Sequence, residues 1–189
     1  MAYSAVFGLL TALCWGTADY MSRHQSEKVG HYKTVVYSQV VTLIVLLALL
    51  PFLTSSYSVP TFSGIALVLA GLVNFVAFIF LYRAFHKGVV SVVAPVAYTY
   101  PAVTTVLSIV ILGTVIAANQ TIAIAGVIIG VVLLSTRFSE IRAYLRGRGA
   151  PNMTAGVGSA IGSSVFFGVV YIGVGYASPF VNYAIPAVV

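Results

Sequence analysis

Residues 61–82 read TFSGIALVLAGLVNFVAFIFLY, a long stretch without one charged side chain. A helix rises 1.5 Å per residue, so about 20 apolar residues cross the roughly 30 Å of hydrocarbon in a bilayer. Lipid offers no hydrogen bonds to the backbone, so a spanning segment must be a helix or part of a closed barrel. Barrel strands alternate polar and apolar side chains, and apolar segments such as 40–50 and 122–134 show no alternation. The stretch therefore predicts a transmembrane helix.

Similar apolar runs follow one another along the chain. They cover about 4–21, 34–53, 61–82, 89–112, 117–135 and 154–175, and a further run begins near residue 180. The composition is 60% hydrophobic and 6% charged, with a mean hydropathy of +1.07, whereas a soluble domain carries about 25% charged residues. We predict an all-α integral membrane protein, a polytopic bundle of six or seven helices.

The positive charges fall in alternate gaps between these runs. All nine Lys and Arg residues lie in the segments 23–33, 83–88 and 137–153, and the gaps 54–60 and 113–117 contain none. The positive-inside rule places basic loops in the cytoplasm. We therefore expect a plasma-membrane protein whose amino terminus is outside and whose three basic segments are cytoplasmic. This distribution explains the net charge of +6 without a nucleic-acid partner.

The order of the runs suggests an internal repeat. Five predicted helices in residues 1–136 precede the basic linker 137–153, and residues 154–189 begin a second set with helix 6 and part of helix 7. Because five is odd, the second set would start from the opposite side, which gives an inverted five-helix repeat whose second copy is incomplete. Trp15-Gly16 and Phe167-Gly168 occupy similar positions in the two sets; coincidence is the alternative explanation of this single match.

This pattern resembles the EamA-like branch of the drug/metabolite transporter superfamily, which has ten helices in two halves. The segment CWGTADY at 14–20 is similar to the family's tryptophan-glycine motif, and NFVAFIFLYRAFHKG at 74–88 resembles the end of its third helix. Residues 91–101 resemble its proline-containing fourth helix, and Gly126 and Gly130 its glycines near the end of each half.

Two departures from the family pattern affect what can be transferred. The family usually has an acidic residue after the Leu-Gly that closes helix 4, whereas Leu112-Gly113 is followed here by Thr114. The chain also stops within the seventh predicted helix. We expect either a truncated product or a protein to which a second copy or another partner supplies the missing helices.

The resemblance implies a secondary transporter or facilitator that works by alternating access, with export as its direction. The sequence has no Gly-rich Lys-Ser/Thr loop for ATP, which argues against pumping by this chain. Its apolar runs contain hydroxyls and aromatic rings but no Lys or Arg, which favours neutral, zwitterionic or amphipathic solutes resembling amino acids. The expected partners are a small-molecule substrate and the lipid bilayer, and no cofactor or metal is expected.

Asn74 is the first candidate for a substrate-binding residue, because a polar side chain near the bilayer midplane usually faces a cavity or a partner. Phe78 and Tyr82 follow at i+4 and i+8 and therefore share its helix face. The alternative is that Asn74 makes an interhelical hydrogen bond of about 1 kcal/mol that only holds the bundle together.

The fourth run supplies a second group of candidates. Its prolines, Pro95 and Pro101, remove backbone donors, and such broken backbone is tolerated where it lines a cavity. Ser91, Pro95, Tyr98 and Thr105 would then present hydroxyls and rings to a ligand. The alternative is a kinked helix that serves packing alone.

Trp15 and Asp19 complete the set. Trp15 lies in the middle of the first run, so it is either a binding platform or a packing residue. Asp19 is the one acidic residue in an apolar run and thus a candidate proton carrier for coupling. The alternative is a solvated ion pair with Arg23 at i+4.

Two other classes of function remain open from the sequence. An intramembrane enzyme needs a nucleophile with a base, or metal ligands, in one cavity; the apolar runs contain no histidine and no HExxH motif. A fragment or assembly subunit that transports nothing by itself is the alternative to the transporter.

Overall fold

The structure is a computed structural model that describes residues 2–53, 59–115, 117–135 and 155–180. Within these ranges the chain forms seven α-helices and no strand. They are α1 (Ala2–Val29), α2 (His31–Leu53), α3 (Thr61–Lys87), α4 (Val90–Ala97), α5 (Tyr100–Leu112), α6 (Ala118–Ser135) and α7 (Val157–Ala177), followed by a 3₁₀ turn at Ser178–Phe180. The predicted all-α class is confirmed.

Four segments of the described chain are long and apolar enough to cross a membrane. They are His31–Phe52, Thr61–Lys87, Val90–Leu112 and Val157–Ala177. The prediction was six or seven; among the described residues, Gln120–Gly130 within α6 is a further, shorter apolar segment. The linker 137–153 lies outside the described residues, and so does the seventh run beyond residue 180.

The helices extend further than the apolar runs. Loops were predicted at 23–33 and 83–88, but α1 continues to Val29 and α3 to Lys87. The prediction of loops is therefore wrong, since only a short turn follows each helix. The physical reason is that charged residues are good helix formers once the helix has reached water. Gly30, with φ +87°, ends α1 because glycine adopts this left-handed conformation without strain.

The fourth span is interrupted, as its two prolines predict. It divides into α4 and α5 at Tyr98 and Thr99, between Pro95 and Pro101. The N–H of Tyr98 donates to the Ala94 carbonyl at 2.9 Å, and that of Thr99 to the Val96 carbonyl at 3.2 Å. The second bond is the tighter i→i+3 type, so the backbone turns here and presents Tyr98 at the junction.

The buried core lies where α7 packs against α3 and α4, and α7 also packs against α5. Glycines permit this close approach: a Cβ on Gly162 would come within 2.7 Å of the Phe80 ring, and one on Gly168 within 2.7 Å of Val103 Cγ1. Outward-facing apolar side chains remain uncovered, among them Phe52 (86% exposed) and Val110 (76%). Such surface suits contact with lipid rather than water.

The turns that carry basic residues meet at one end of the bundle. The rings of His31 and His86 lie 5.7 Å apart, so the α1–α2 turn adjoins the end of α3. The start of α7 joins them, because Gly156 packs against the Ala84 carbonyl and Gly88. This common end agrees with the alternating charge pattern, and the side of the membrane on which it lies stays a prediction.

Candidate transport site

A cavity of about 850 Å³ lies between α1, α2, α3 and α7. Its lining residues are Cys14, Trp15, Ala18, Asp19 and Ser22 from α1; Ser38, Gln39, Thr42, Leu43 and Leu46 from α2; Gly71, Asn74, Phe75, Phe78 and Tyr82 from α3; and Phe167, Val170, Tyr171 and Val174 from α7. A volume of this size suits a small organic molecule.

One wall of the cavity is the face of α3 that carries Asn74, Phe78 and Tyr82. Their spacing of four residues brings them to the same side of the helix. Asn74 is the central residue of α3, which runs from Thr61 to Lys87, and thus lies about 20 Å from either end. Its amide is therefore a polar group near the middle of a membrane span.

Aromatic rings surround this wall. Phe78 makes edge-to-face contacts with Phe167 of α7, at 5.2 Å between ring centroids, and with Tyr82, at 5.7 Å. Tyr171, one turn after Phe167, stacks on Tyr100 of α5 at 4.9 Å. Such contacts fix the rings in place, so this part of the cavity wall is largely preformed.

The acidic side chain of the cavity is held by the helix break. The Tyr98 hydroxyl donates a hydrogen bond of 2.6 Å to Asp19 Oδ2. The Tyr98 ring also contacts Trp15 edge to face, with centroids 6.4 Å apart. Trp15 and Asp19 are one turn apart on α1, so a single face of this helix engages the α4–α5 junction.

Asp19 does not form the ion pair with Arg23 that the sequence allowed. Arg23 Nε donates instead to Glu27 Oε1 at 2.9 Å, so that alternative is wrong. Both pairs have i,i+4 spacing, but Glu27 lies toward water, whereas Asp19 faces the cavity. The hydrogen bond from Arg23 lowers the pKa of the Glu27 carboxyl, which keeps this pair ionised.

Asp19 also borders a second, smaller cavity. This space of about 290 Å³ is lined by Gly16, Asp19, Tyr20, Arg23 and Val90. The carboxyl group thus lies between two spaces, the larger cavity and this smaller one near the basic end of α1.

Comparison with known proteins identifies the family. The profile of the EamA-like transporter family matches residues 2–136. This chain belongs to the EamA-like transporter family. An uncharacterized protein of Methanocaldococcus jannaschii is 30% identical over 138 residues, which is 71% of this chain and 98% of that protein. No solved structure matches.

Membership confirms the resemblance inferred from the sequence. It also supports a multi-pass membrane protein of the drug/metabolite transporter type, a class that is not enzymatic. The family match leaves the solute and the direction of transport open, and the M. jannaschii protein is itself uncharacterized.

The predicted site residues of this EamA-like protein divide into two groups. Trp15, Asn74, Phe78 and Tyr82 line the large cavity together with Asp19. The Tyr98 hydroxyl donates a hydrogen bond to Asp19, although Tyr98 itself does not line the cavity. Ser91, Pro95 and Thr105 are not among the lining residues, and the Thr105 hydroxyl donates to the Pro101 carbonyl of its own helix at 2.7 Å.

The contribution of α2 to the cavity, and most of that of α7, was not predicted from the sequence. Ser38, Gln39 and Thr42 are polar residues on neighbouring turns of an otherwise apolar run, and this pattern could have identified them. Phe167 appeared only as half of a repeat match, and Tyr171, four residues later on the same face, was overlooked. Both α7 rings could have been found by the i,i+4 rule already applied to Asn74.

Proposed function

We propose that this protein is a secondary transporter or facilitator that moves small neutral, zwitterionic or amphipathic metabolites, similar to amino acids, by alternating access in the export direction. The observation that supports this proposal is the cavity between α1, α2, α3 and α7. It combines a preformed aromatic wall with amide and hydroxyl groups near the middle of the spans. A metabolite with an apolar body and a few polar atoms matches such a lining.

The proposed binding residues are Trp15, Asn74, Phe78 and Tyr82, with Tyr98 as a positioning residue for Asp19. Asp19 is the proposed coupling residue, because its carboxyl group borders both cavities and could exchange a proton with either. Ser91, Pro95 and Thr105 are left out of the site since they do not line the cavity.

The proposed mechanism places the interrupted helix at the moving part of the protein. In alternating access, two structural units rock around a site near the bilayer midplane. The hydrogen bond from Tyr98 to Asp19 connects the α4–α5 break to α1. A change in the protonation of Asp19 would therefore act on the backbone at the helix break. We propose that the units are the two repeats, 1–136 and 154–189, joined by the linker 137–153. The basic end would face the cytoplasm of a plasma membrane.

Flux through proteoliposomes tests the proposal. The full chain is reconstituted and uptake of a panel of labelled amino acids and aromatic amines is measured against empty liposomes. Asn74→Leu removes the central polar group of the cavity and is expected to lower flux at least about tenfold, the effect of losing one or two hydrogen bonds to the solute. Thr11→Val, at a residue of α1 that does not line the cavity, serves as the control and should keep wild-type flux. If every solute moved no faster than in empty liposomes, the non-transporting subunit would be the better assignment.

A further inference from the structure

The charge balance of the large cavity is unusual for a space within a membrane protein. Asp19 is the one acidic residue among the described residues that line it, and none of those residues is Lys, Arg or His. The nearby guanidinium of Arg23 bonds to Glu27. When it is ionised, the Asp19 carboxylate brings a negative charge to the cavity, and the described lining supplies no cation to balance it.

An ionised group in such surroundings is costly unless something pairs with it. The Tyr98 hydroxyl partly stabilises the ionised carboxyl group by donating a hydrogen bond to Asp19 Oδ2. A tyrosine hydroxyl is a neutral single donor, whereas a carboxylate accepts up to about four hydrogen bonds. The Asp19 carboxylate can therefore still accept hydrogen bonds from a positively charged donor.

The aromatic rings that line the same cavity as Asp19 favour the same kind of ligand. Trp15, one turn before Asp19 on α1, lines the cavity together with Phe78, Tyr82 and Phe167. Aromatic faces attract cations through their quadrupole and also bury apolar groups. A carboxylate in one cavity with several rings therefore favours an organic cation over an anion, and over an inorganic cation that must keep its water.

We propose that the cavity contains a subsite for a protonated amine carried on an apolar or aromatic body. The ammonium group binds the Asp19 carboxylate, and the body lies against the rings of Trp15 and Phe78. This inference rests on the proposed function and narrows its solutes to those that bear an amine. A carboxylate on the same solute would meet only amide and hydroxyl groups, such as those of Asn74 and Gln39, so amines should bind more tightly than the corresponding amino acids.

The chain provides its own reporter, because Trp15 is its single tryptophan and lines the cavity. The full chain in lipid nanodiscs is titrated with 2-phenylethylamine, which is protonated at neutral pH, and with 2-phenylethanol, which has the same ring but no charge. Trp15 emission gives the apparent Kd of each. The amine is expected to bind at least about tenfold more tightly than the alcohol, as one charge-assisted hydrogen bond implies.

Asp19→Asn keeps the shape of the side chain and removes its charge. It should abolish the preference for the amine while leaving the Kd for the alcohol within about twofold of wild type. Because Asp19→Asn could impair folding, the comparison of the two probes on the wild-type protein decides the matter independently. Equal affinity of wild type for amine and alcohol would overturn the ammonium subsite, and so would an amine preference that survives in Asp19→Asn.

These results are separable from the proposed function. If amine and alcohol bind equally but the proteoliposomes still transport solutes in an Asn74-dependent manner, the ammonium subsite fails and the transporter proposal stands. If the amine binds through Asp19 but nothing is transported, the subsite is supported and the transporter proposal fails.

Discussion

At the scale of single residues, the hydrogen bond from Tyr98 to Asp19 joins two positions 79 residues apart. Tyr98→Phe removes the hydroxyl and should lower the free energy of unfolding by about 1 kcal/mol, the usual size of such a bond within a membrane protein. The measurement is unfolding by denaturant in mixed micelles. In an Asp19→Asn background the same substitution should cost less; an equal cost in both backgrounds would show that the two side chains are not coupled.

Thr42 and Thr11 offer a matched pair for the cavity itself. Thr42 lines the cavity, whereas the Thr11 hydroxyl donates to the Phe7 carbonyl of its own helix at 2.8 Å. Thr42→Val should raise the KM of transport about two- to tenfold through loss of one hydrogen bond to the solute, and Thr11→Val should leave it unchanged. Equal effects of the two substitutions would mean that α2 does not contribute to the site.

Site residues could be predicted from the sequence where the pattern lay within a single helix. Asn74, Phe78 and Tyr82 share a helix face, so their spacing alone predicted that they belong together. The partner of Asp19 could not be predicted this way, because the choice between Arg23 and Tyr98 depends on how α4 packs beside α1. Ser91 and Thr105 were grouped with Tyr98 because all three belong to one apolar run, but neither lines the cavity, and Thr105 lies on α5, beyond the helix break.

At the scale of helices, glycines determine how closely α7 approaches its neighbours. Gly168→Ala should destabilise the protein by about 1–3 kcal/mol, because the added methyl group would overlap Val103 of α5. Gly158→Ala in the same helix has open space around it and should be neutral or slightly stabilising, since alanine is the better helix former. Thermal denaturation of both variants checks this; a larger loss in Gly158→Ala would contradict the packing of α7 against α5.

The presence of each helix could be predicted from the sequence more accurately than the residues at which it ends. Apolar length identified each span, and the prolines predicted the interruption of the fourth. The ends were misjudged because hydropathy marks where lipid begins, not where hydrogen bonding stops. Helices α1 and α3 therefore continue through charged residues until Gly30 and Gly88.

At the scale of the whole molecule, orientation is the main untested prediction. In a Cys14→Ser background, single cysteines replace Val115, which is 97% exposed in a gap without cations, or Lys87 at the basic end. A membrane-impermeant maleimide added to intact cells should label Val115→Cys, and should label Lys87→Cys only after permeabilisation. The opposite pattern would place the basic end outside and contradict the positive-inside assignment.

The central claim is that the cavity is a solute site open to each side of the membrane in turn, and Cys14 tests it most directly. Cys14 is the only cysteine of the chain and lines the cavity. Right-side-out and inside-out vesicles carrying the wild-type protein are treated with a membrane-impermeant thiol reagent, with and without saturating 2-phenylethylamine. We predict labelling of Cys14 from both sides, at a lower rate when the amine is present. Labelling from one side only, at a rate that the amine does not change, would contradict the account.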